Sequence, residues 1–339
     1  MKLNVTAIND KNNAISLVRL VATVFIVLCH FFQYYNLEAA WWFNVGVQMF
    51  FCISGFLYGN KRITSPVNFI FTNFRKILIP YYCYLVAAII VYFIFHRELL
   101  SSGIIISAVL TSGTIRGIEH LWFISYILFC YIITPYLQAL ADKMKVLKWY
   151  AFLIAFLMLA IFGHYLSVYF DSYFAVTALF CYLFGYFASV FFHNYKYTIY
   201  KGIMFTFALV AAAINGIKFY NMYLAPIAFP GFDRLITYSH AFLGISLVLM
   251  SVIVFKNIKR NRLLELSDKY SFYIYLVHQF YILSPFTLLT ATKSVPINIA
   301  LTVVSILLSA VLLKLVVDGV AKLFARGMGI VKSKVCSLR

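Results

Sequence analysis

Charge is what this sequence has least of. Asp, Glu, Lys and Arg make up 11% of its 339 residues, against about 25% in a typical soluble domain. A composition that is 64% hydrophobic cannot be hidden inside a water-soluble fold of this length, so a soluble globular protein is excluded. Acidic residues are scarcest, with 10 Asp and Glu against 28 Lys and Arg. They fall almost entirely outside the long apolar runs, which argues against a proton relay of intramembrane carboxylates. No C-x-x-C pair occurs among the six cysteines, and Cys29, Cys52, Cys83, Cys130 and Cys181 lie inside apolar runs, with Cys336 in the tail. They read as small apolar residues, so neither a disulfide framework nor a metal site is expected. No Gly-rich phosphate loop and no inverted repeat of the transporter kind is visible. The first apolar run has no small-residue cleavage site after it and is expected to stay as an anchor.

What the chain does have is length in its apolar runs. Several extend for roughly 18 residues or more without a charge, enough to cross a hydrocarbon core of about 30 Å. Backbone polar groups cannot go unpaired in lipid, so these runs must be helices. The expectation is an all-α, polytopic membrane protein forming a single membrane-embedded domain over 1–339. About ten spans are placed near 15–35, 41–58, 78–95, 121–138, 149–166, 173–192, 202–217, 235–255, 271–291 and 295–317. The weaker apolar run from Ile104 to Leu110 is too short to span and reads as an interfacial or re-entrant piece.

The formal net charge of +18 supports this map better than it supports nucleic-acid binding. No basic patch alternates with exposed aromatics, so no nucleic-acid partner is expected. With the N-terminus inside, Lys and Arg gather on alternate connections: Lys61, Arg62, Arg75 and Lys76; Lys143, Lys145 and Lys148; Lys196 and Lys201; Lys256, Lys259, Arg260, Arg262 and Lys269; and the C-terminal tail. The opposite connections hold just Arg97, Arg116, Lys218, Arg234 and Lys293. This bias predicts that both termini are cytoplasmic. Trp41 and Trp42, at the outer end of the second span, read as an interfacial anchor.

Ionisable residues inside the spans are functional candidates. Arg19 and His30 stand eleven positions apart on the first span. At about 100° per residue that brings them within about 20° of one helix face and about 16 Å apart along it. One face therefore presents a cation near the cytoplasmic end and an imidazole near mid-membrane. A snorkelling Arg and an interhelical His bond would also account for the pair. Ser54-Gly55 on the second span permits close helix approach or a hydroxyl bond across helices. Arg75 and Lys76 stand at the cytoplasmic mouth of the third span, where positive-inside anchoring is the plainer reading. The fourth span opens His120-Leu121-Trp122-Phe123 with Glu119 just before it. The ninth carries Ser271-Phe272-Tyr273-Ile274-Tyr275-Leu276-Val277-His278, a second intramembrane His.

Taken in order, these pieces resemble the acyltransferase-3 family of bacterial membrane-bound O-acyltransferases. The resemblance rests on Arg19 and His30 with Ala22 between them, and on Phe50-Phe51-x-x-Ser54-Gly55-Phe56-Leu57. It rests also on the basic segment ending in Pro80, the His120–Phe123 start and the Ser271–His278 run. Two features depart from the family pattern: Ser16 stands where an Asp is common, and Arg75-Lys76 with Asn73 replaces a pair of arginines. The chain is expected to lack the esterase-like domain that some members carry.

The resemblance implies transfer of an acyl group, most simply acetyl, from cytoplasmic acetyl-CoA to a hydroxyl of a cell-surface glycan in the bacterial inner membrane. The saccharide acceptor lies across the membrane or on a lipid, and membrane lipids are the remaining partner. His30 and Arg19 would be catalytic. Arg75, Lys76 and Ser54 would bind the donor, with His120, Trp122, Tyr275 and His278 as further candidates. A neutral His can take the proton of a sugar hydroxyl during attack on a thioester, or carry the acetyl group itself. The competing reading is a transporter or flippase for a lipid-linked saccharide. A sugar polymerase is disfavoured because the loops are short. The pattern carries no signal of oligomeric state.

Overall fold

The long apolar runs that the structure describes are helical over most of their length, as the backbone rule for lipid requires. The structure is a computed structural model that describes residues 13–59, 61–110, 113–144, 158, 161, 165, 173–194, 197–227, 229, 232 and 238–337. Among these there is no strand. In chain order the helices are α1 (Asn13–Tyr34), α2 (Ala39–Phe43), α3 (Val45–Gly59), α4 (Pro66–Phe95), α5 (Ser102–Val109), α6 (Trp122–Met144), α7 (Tyr173–Asn194), α8 (Tyr197–Tyr223), α9 (Ser239–Val254), α10 (Arg262–Ile282) and α11 (Val295–Ser337).

Five described helices are long and apolar enough to cross a membrane: Asn13–Tyr34, Ala39–Gly59, Pro66–Phe95, Glu119–Lys143 and Val295–Leu323. They coincide with the first four and the tenth of the expected spans. Val176–Phe191 and Ser239–Val254 are shorter apolar helices, at the sixth and eighth. The seventh lies within α8, and the fifth, 149–166, falls outside the described residues but for three positions. The expected ninth span, 271–291, is corrected: α10 begins at Arg262 and ends at Ile282. Pro285 disfavours helix at Ser284, and the Ser284 hydroxyl accepts from Phe286 N at 2.9 Å to start a turn instead. Asn298, 2% exposed, then fastens this loop, donating to Leu289 O at 2.8 Å and accepting from Thr292 N at 2.8 Å.

The helices fall into two compact units, residues 1–66 with 126–269, and residues 67–125 with 270–339. In the first, α3 and α7 make the tightest crossing. A Cβ on Gly55 would stand 2.0 Å from Tyr182 O, and one on Gly185 2.1 Å from Cys52 O. Only glycine admits backbones this close, which is how helices gain dispersion contact where lipid offers no hydrophobic drive. Phe51, Phe56, Met49, Tyr182 and Tyr186 fill the surrounding core. The buried Tyr182 hydroxyl donates to Thr134 Oγ1 at 2.5 Å, and Thr134 in turn donates to Cys130 O at 2.6 Å. Trp42 Nε1 donates to the Tyr223 hydroxyl at 3.1 Å, the half-wet placement expected of an interfacial anchor.

In the second unit α4 is one unbroken helix through Pro80. Arg75 and Lys76 therefore lie on a helix, not in the loop the sequence pattern implied. Tyrosines of α4 secure the following segment: Tyr81 donates to Ala108 O, Tyr82 to Val109 O at 2.9 Å, and Tyr92 to Arg116 O. Ile104–Leu110 matches the short helix α5, capped by Ser101, whose hydroxyl accepts from Ile104 N at 3.2 Å. On α11, Leu301, Val304, Leu308, Leu312 and Leu315 form an exposed apolar stripe at helical spacing, and Val86, Ile90 and Phe93 do the same on α4. Water would not tolerate such stripes, and lipid does. The molecule is a multi-pass membrane protein.

Candidate active site

Arg19 and His30 occupy opposite parts of α1. His30 stands four residues before the helix ends at Tyr34, about 6 Å along the axis. The stop is local: Asn36 adopts φ 53°, Leu37 N bonds Phe32 O at 2.9 Å and Asn36 N bonds Gln33 O at 3.1 Å, the αL cap that closes many helices. His30 Nδ1 lies 2.9 Å from Gln33 Oε1. With Gln33 Oε1 as its partner, an acceptor, this bond is donated from Nδ1.

Arg19 meets a carboxylate that belongs to none of the sequence motifs. Its Nη1 donates to Asp268 Oδ1 at 2.6 Å. Asp268 Oδ2 accepts from the Ser16 hydroxyl at 2.7 Å and from Arg260 Nη1 at 2.7 Å. Ser16, the departure from the family pattern, is thereby a member of the same cluster. Asp268 is reached because Asn261 caps α10, accepting from Leu264 N at 3.0 Å, and because Asn13 donates to Ile258 O at 2.9 Å beside the start of α1. Ser54 is half-buried on α3, next to the Gly55 crossing. Arg75 and Lys76 are exposed on α4, immediately before its apolar stretch.

The second unit draws His120, Tyr275 and His278 together. The ring centroids of His120 lie 5.1 Å from Tyr275 and 4.9 Å from His278. The Tyr275 hydroxyl donates to His120 O. His120 Nδ1 faces Gln279 Oε1, and Nε2 lies 3.1 Å from Leu276 O. Gln279 Oε1 also accepts from His120 N at 2.9 Å, while its Nε2 donates to Glu119 Oε2 at 3.4 Å. Both ring nitrogens of His120 are thus engaged within the network. His278, 0% exposed, donates from Nδ1 to Tyr275 O at 2.6 Å. This network locks α10 to the turn Glu119–Leu121 ahead of α6, where Gly117 at φ 84° bends the chain as a side chain would resist. Trp122 begins α6 beside it, half-buried.

Asp268, Arg260 and Gln279 are the residues that sequence reasoning passed over. Arg260 was countable only as one more inside cation. Asp268 had a faint signal as one of few acids, three positions before the Ser271–His278 run.

Neither a curated protein nor a solved structure matches the chain. Its sequence does match the acyltransferase domain that defines one family, over residues 12–314, from the start of α1 to well inside α11. The ordered motifs and this match give one answer: the chain belongs to the acyltransferase-3 family.

Proposed function

We propose that this acyltransferase moves an acetyl group from cytoplasmic acetyl-CoA to a hydroxyl of a bacterial cell-surface glycan, in the inner membrane, with about ten spans, both termini inside and one catalytic domain. The observation that carries the reading is the composition of α1: an arginine and a histidine on one face, with the imidazole Nδ1 2.9 Å from Gln33 Oε1. His30 removes the acceptor proton as the sugar oxygen attacks the thioester carbonyl, and the CoA thiolate leaves. Its place near the C-terminal end of α1 gives it to the acceptor side, while Arg19 belongs to the donor side. The pantetheine arm then runs between them, along α1. Arg75, Lys76 and Ser54 assist the donor. The acceptor is a saccharide, lipid-linked or across the membrane.

The topology arm is direct. In intact cells a cysteine introduced as Glu265→Cys should resist an impermeant thiol reagent and react once the inner face is opened. Labelling from outside overturns the orientation and the donor side with it. The reaction arm compares glycan O-acetyl signals by proton NMR in cells with and without the chain. Unchanged signals overturn the reading and favour saccharide transport.

A further inference from the structure

The Arg19–Asp268–Arg260 cluster has more cation than its carboxylate can neutralise. Each guanidinium carries five N–H donors, and a carboxylate offers about four acceptor positions. Asp268 already accepts from Arg19, Ser16 and Arg260. Among the described residues, Arg19 gives Asp268 one hydrogen bond, and Arg260 directs Nη1 to both Asp268 and Ser16 Oγ at 3.1 Å. Most of the N–H donors on both forks are thus left over. Glu265 approaches Arg260 at 3.8 Å with 62% of its side chain exposed, so solvent and salt screen it. Lys256, Lys259, Arg262 and Lys269 lie in the same segment and restore the positive excess.

The two arginines are also recessed. Arg19 and Arg260 side chains are 27% and 28% exposed, unlike Arg75 and Lys76, which stand in the open. A cation that merely anchors to headgroups has no need of such cover. A fork held in place by a carboxylate, with its remaining donors unspent, is suited to bidentate binding of a tetrahedral oxyanion.

We infer that Arg260 and Arg19 form one phosphate-binding site, with Asp268 and Ser16 as positioning residues, and that it takes phosphate groups of the nucleotide-bearing acyl donor. The inference rests on the acyl-CoA reading above. Asp268 aligns the two forks toward one anion, and Ser16 keeps the carboxylate from turning away.

The test is binding of free CoA to the full chain in zwitterionic lipid nanodiscs, by calorimetry. The informative variant is Arg260→Gln with Asp268→Asn. It removes one positive and one negative charge together, so the net charge of the cluster is unchanged and no carboxylate is left unpaired. The site predicts CoA binding weaker by about tenfold or more, the scale of one charge-assisted hydrogen bond. Equal binding by an intact double variant overturns the inference and makes Arg260 a structural partner of Asp268, leaving the donor reading in place. Absence of CoA binding by the unaltered protein sinks the donor reading itself. If the double variant fails to fold, Arg260→Lys keeps the charge and loses the fork, and a several-fold loss of CoA binding is expected; no loss overturns the inference. In nanodiscs containing phosphatidylglycerol, a lipid-dependent rise in Tm that the double variant lacks, with CoA binding unaltered, assigns the site to a headgroup and overturns the donor assignment.

Discussion

The Arg19–Asp268–Arg260 cluster and the His120–Tyr275–His278 cluster use the same polar ingredients and reach opposite ends. In the first, one carboxylate faces two guanidiniums, all about a quarter exposed, and donors remain to be used. In the second, His120, Tyr275 and His278 are 6%, 5% and 0% exposed, and both nitrogens of the His120 ring face oxygen acceptors. A polar network with unspent, accessible donors is arranged for a ligand. One that is buried and bonded largely to backbone carbonyls is arranged to fix backbone, because each broken bond there leaves a buried group unsatisfied. His30 differs from both: it is half-buried on α1, with its Nδ1 2.9 Å from the exposed Gln33.

The contrast is broken or sharpened most strongly at His30. His30→Ala should lower acyl transfer per inserted molecule by about 10²–10⁴-fold, the usual worth of a general base, with little change in membrane-inserted amount, since the substitution costs little in helix propensity. Glycan O-acetylation measured against protein in the membrane gives the ratio. His120→Phe should behave the other way. It leaves Gln279 Oε1 and Leu276 O without their ring partners, so stability should fall by about 1–3 kcal/mol, seen as a lower Tm in nanodiscs, with activity per folded molecule changed far less than by His30→Ala. A catalytic loss in His120→Phe equal to that of His30→Ala, at unchanged Tm, would move the chemistry into the second unit.

Smaller effects grade the same distinction. Tyr275→Phe removes the hydroxyl that donates to His120 O and should cost about 0.5–1.5 kcal/mol, again in Tm. Arg75→Ala with Lys76→Ala should leave Tm unchanged and raise the donor KM by a few-fold, an effect that fades as salt is added because both side chains are exposed. A salt-independent effect would place them in a closed pocket.

Much of the fold was legible because lipid permits one answer. A charge-free run of sufficient length is a helix, and α1, α2 with α3, α4, α6 and α11 appear where the apolar runs do. The ninth span was misread because hydropathy continues through Pro285 while the helix ends at Ile282 and the Ser284 hydroxyl starts a turn. The start of α4 was read as loop because Asn68, Thr72, Asn73, Arg75 and Lys76 are polar, yet polarity ends a hydrophobic run without ending a helix. At the site, spacing on one helix was readable: Arg19 and His30 needed only the helical repeat. The partners were not. Asp268 stands 249 positions from Arg19 and Gln279 stands 159 from His120, and no local pattern connects residues so far apart. Likewise Ser16 looked like a gap in a motif until its hydroxyl was seen on Asp268.

The central claim is acyl transfer from a CoA thioester, and the most direct measurement follows free thiol and acylated glycan together. Purified protein in nanodiscs, given acetyl-CoA and a lipid-linked saccharide, should release CoA thiol in step with O-acetyl groups appearing on the glycan, and His30→Ala should abolish both. Saccharide crossing the bilayer with no thiol released would contradict the account and make the chain a transporter.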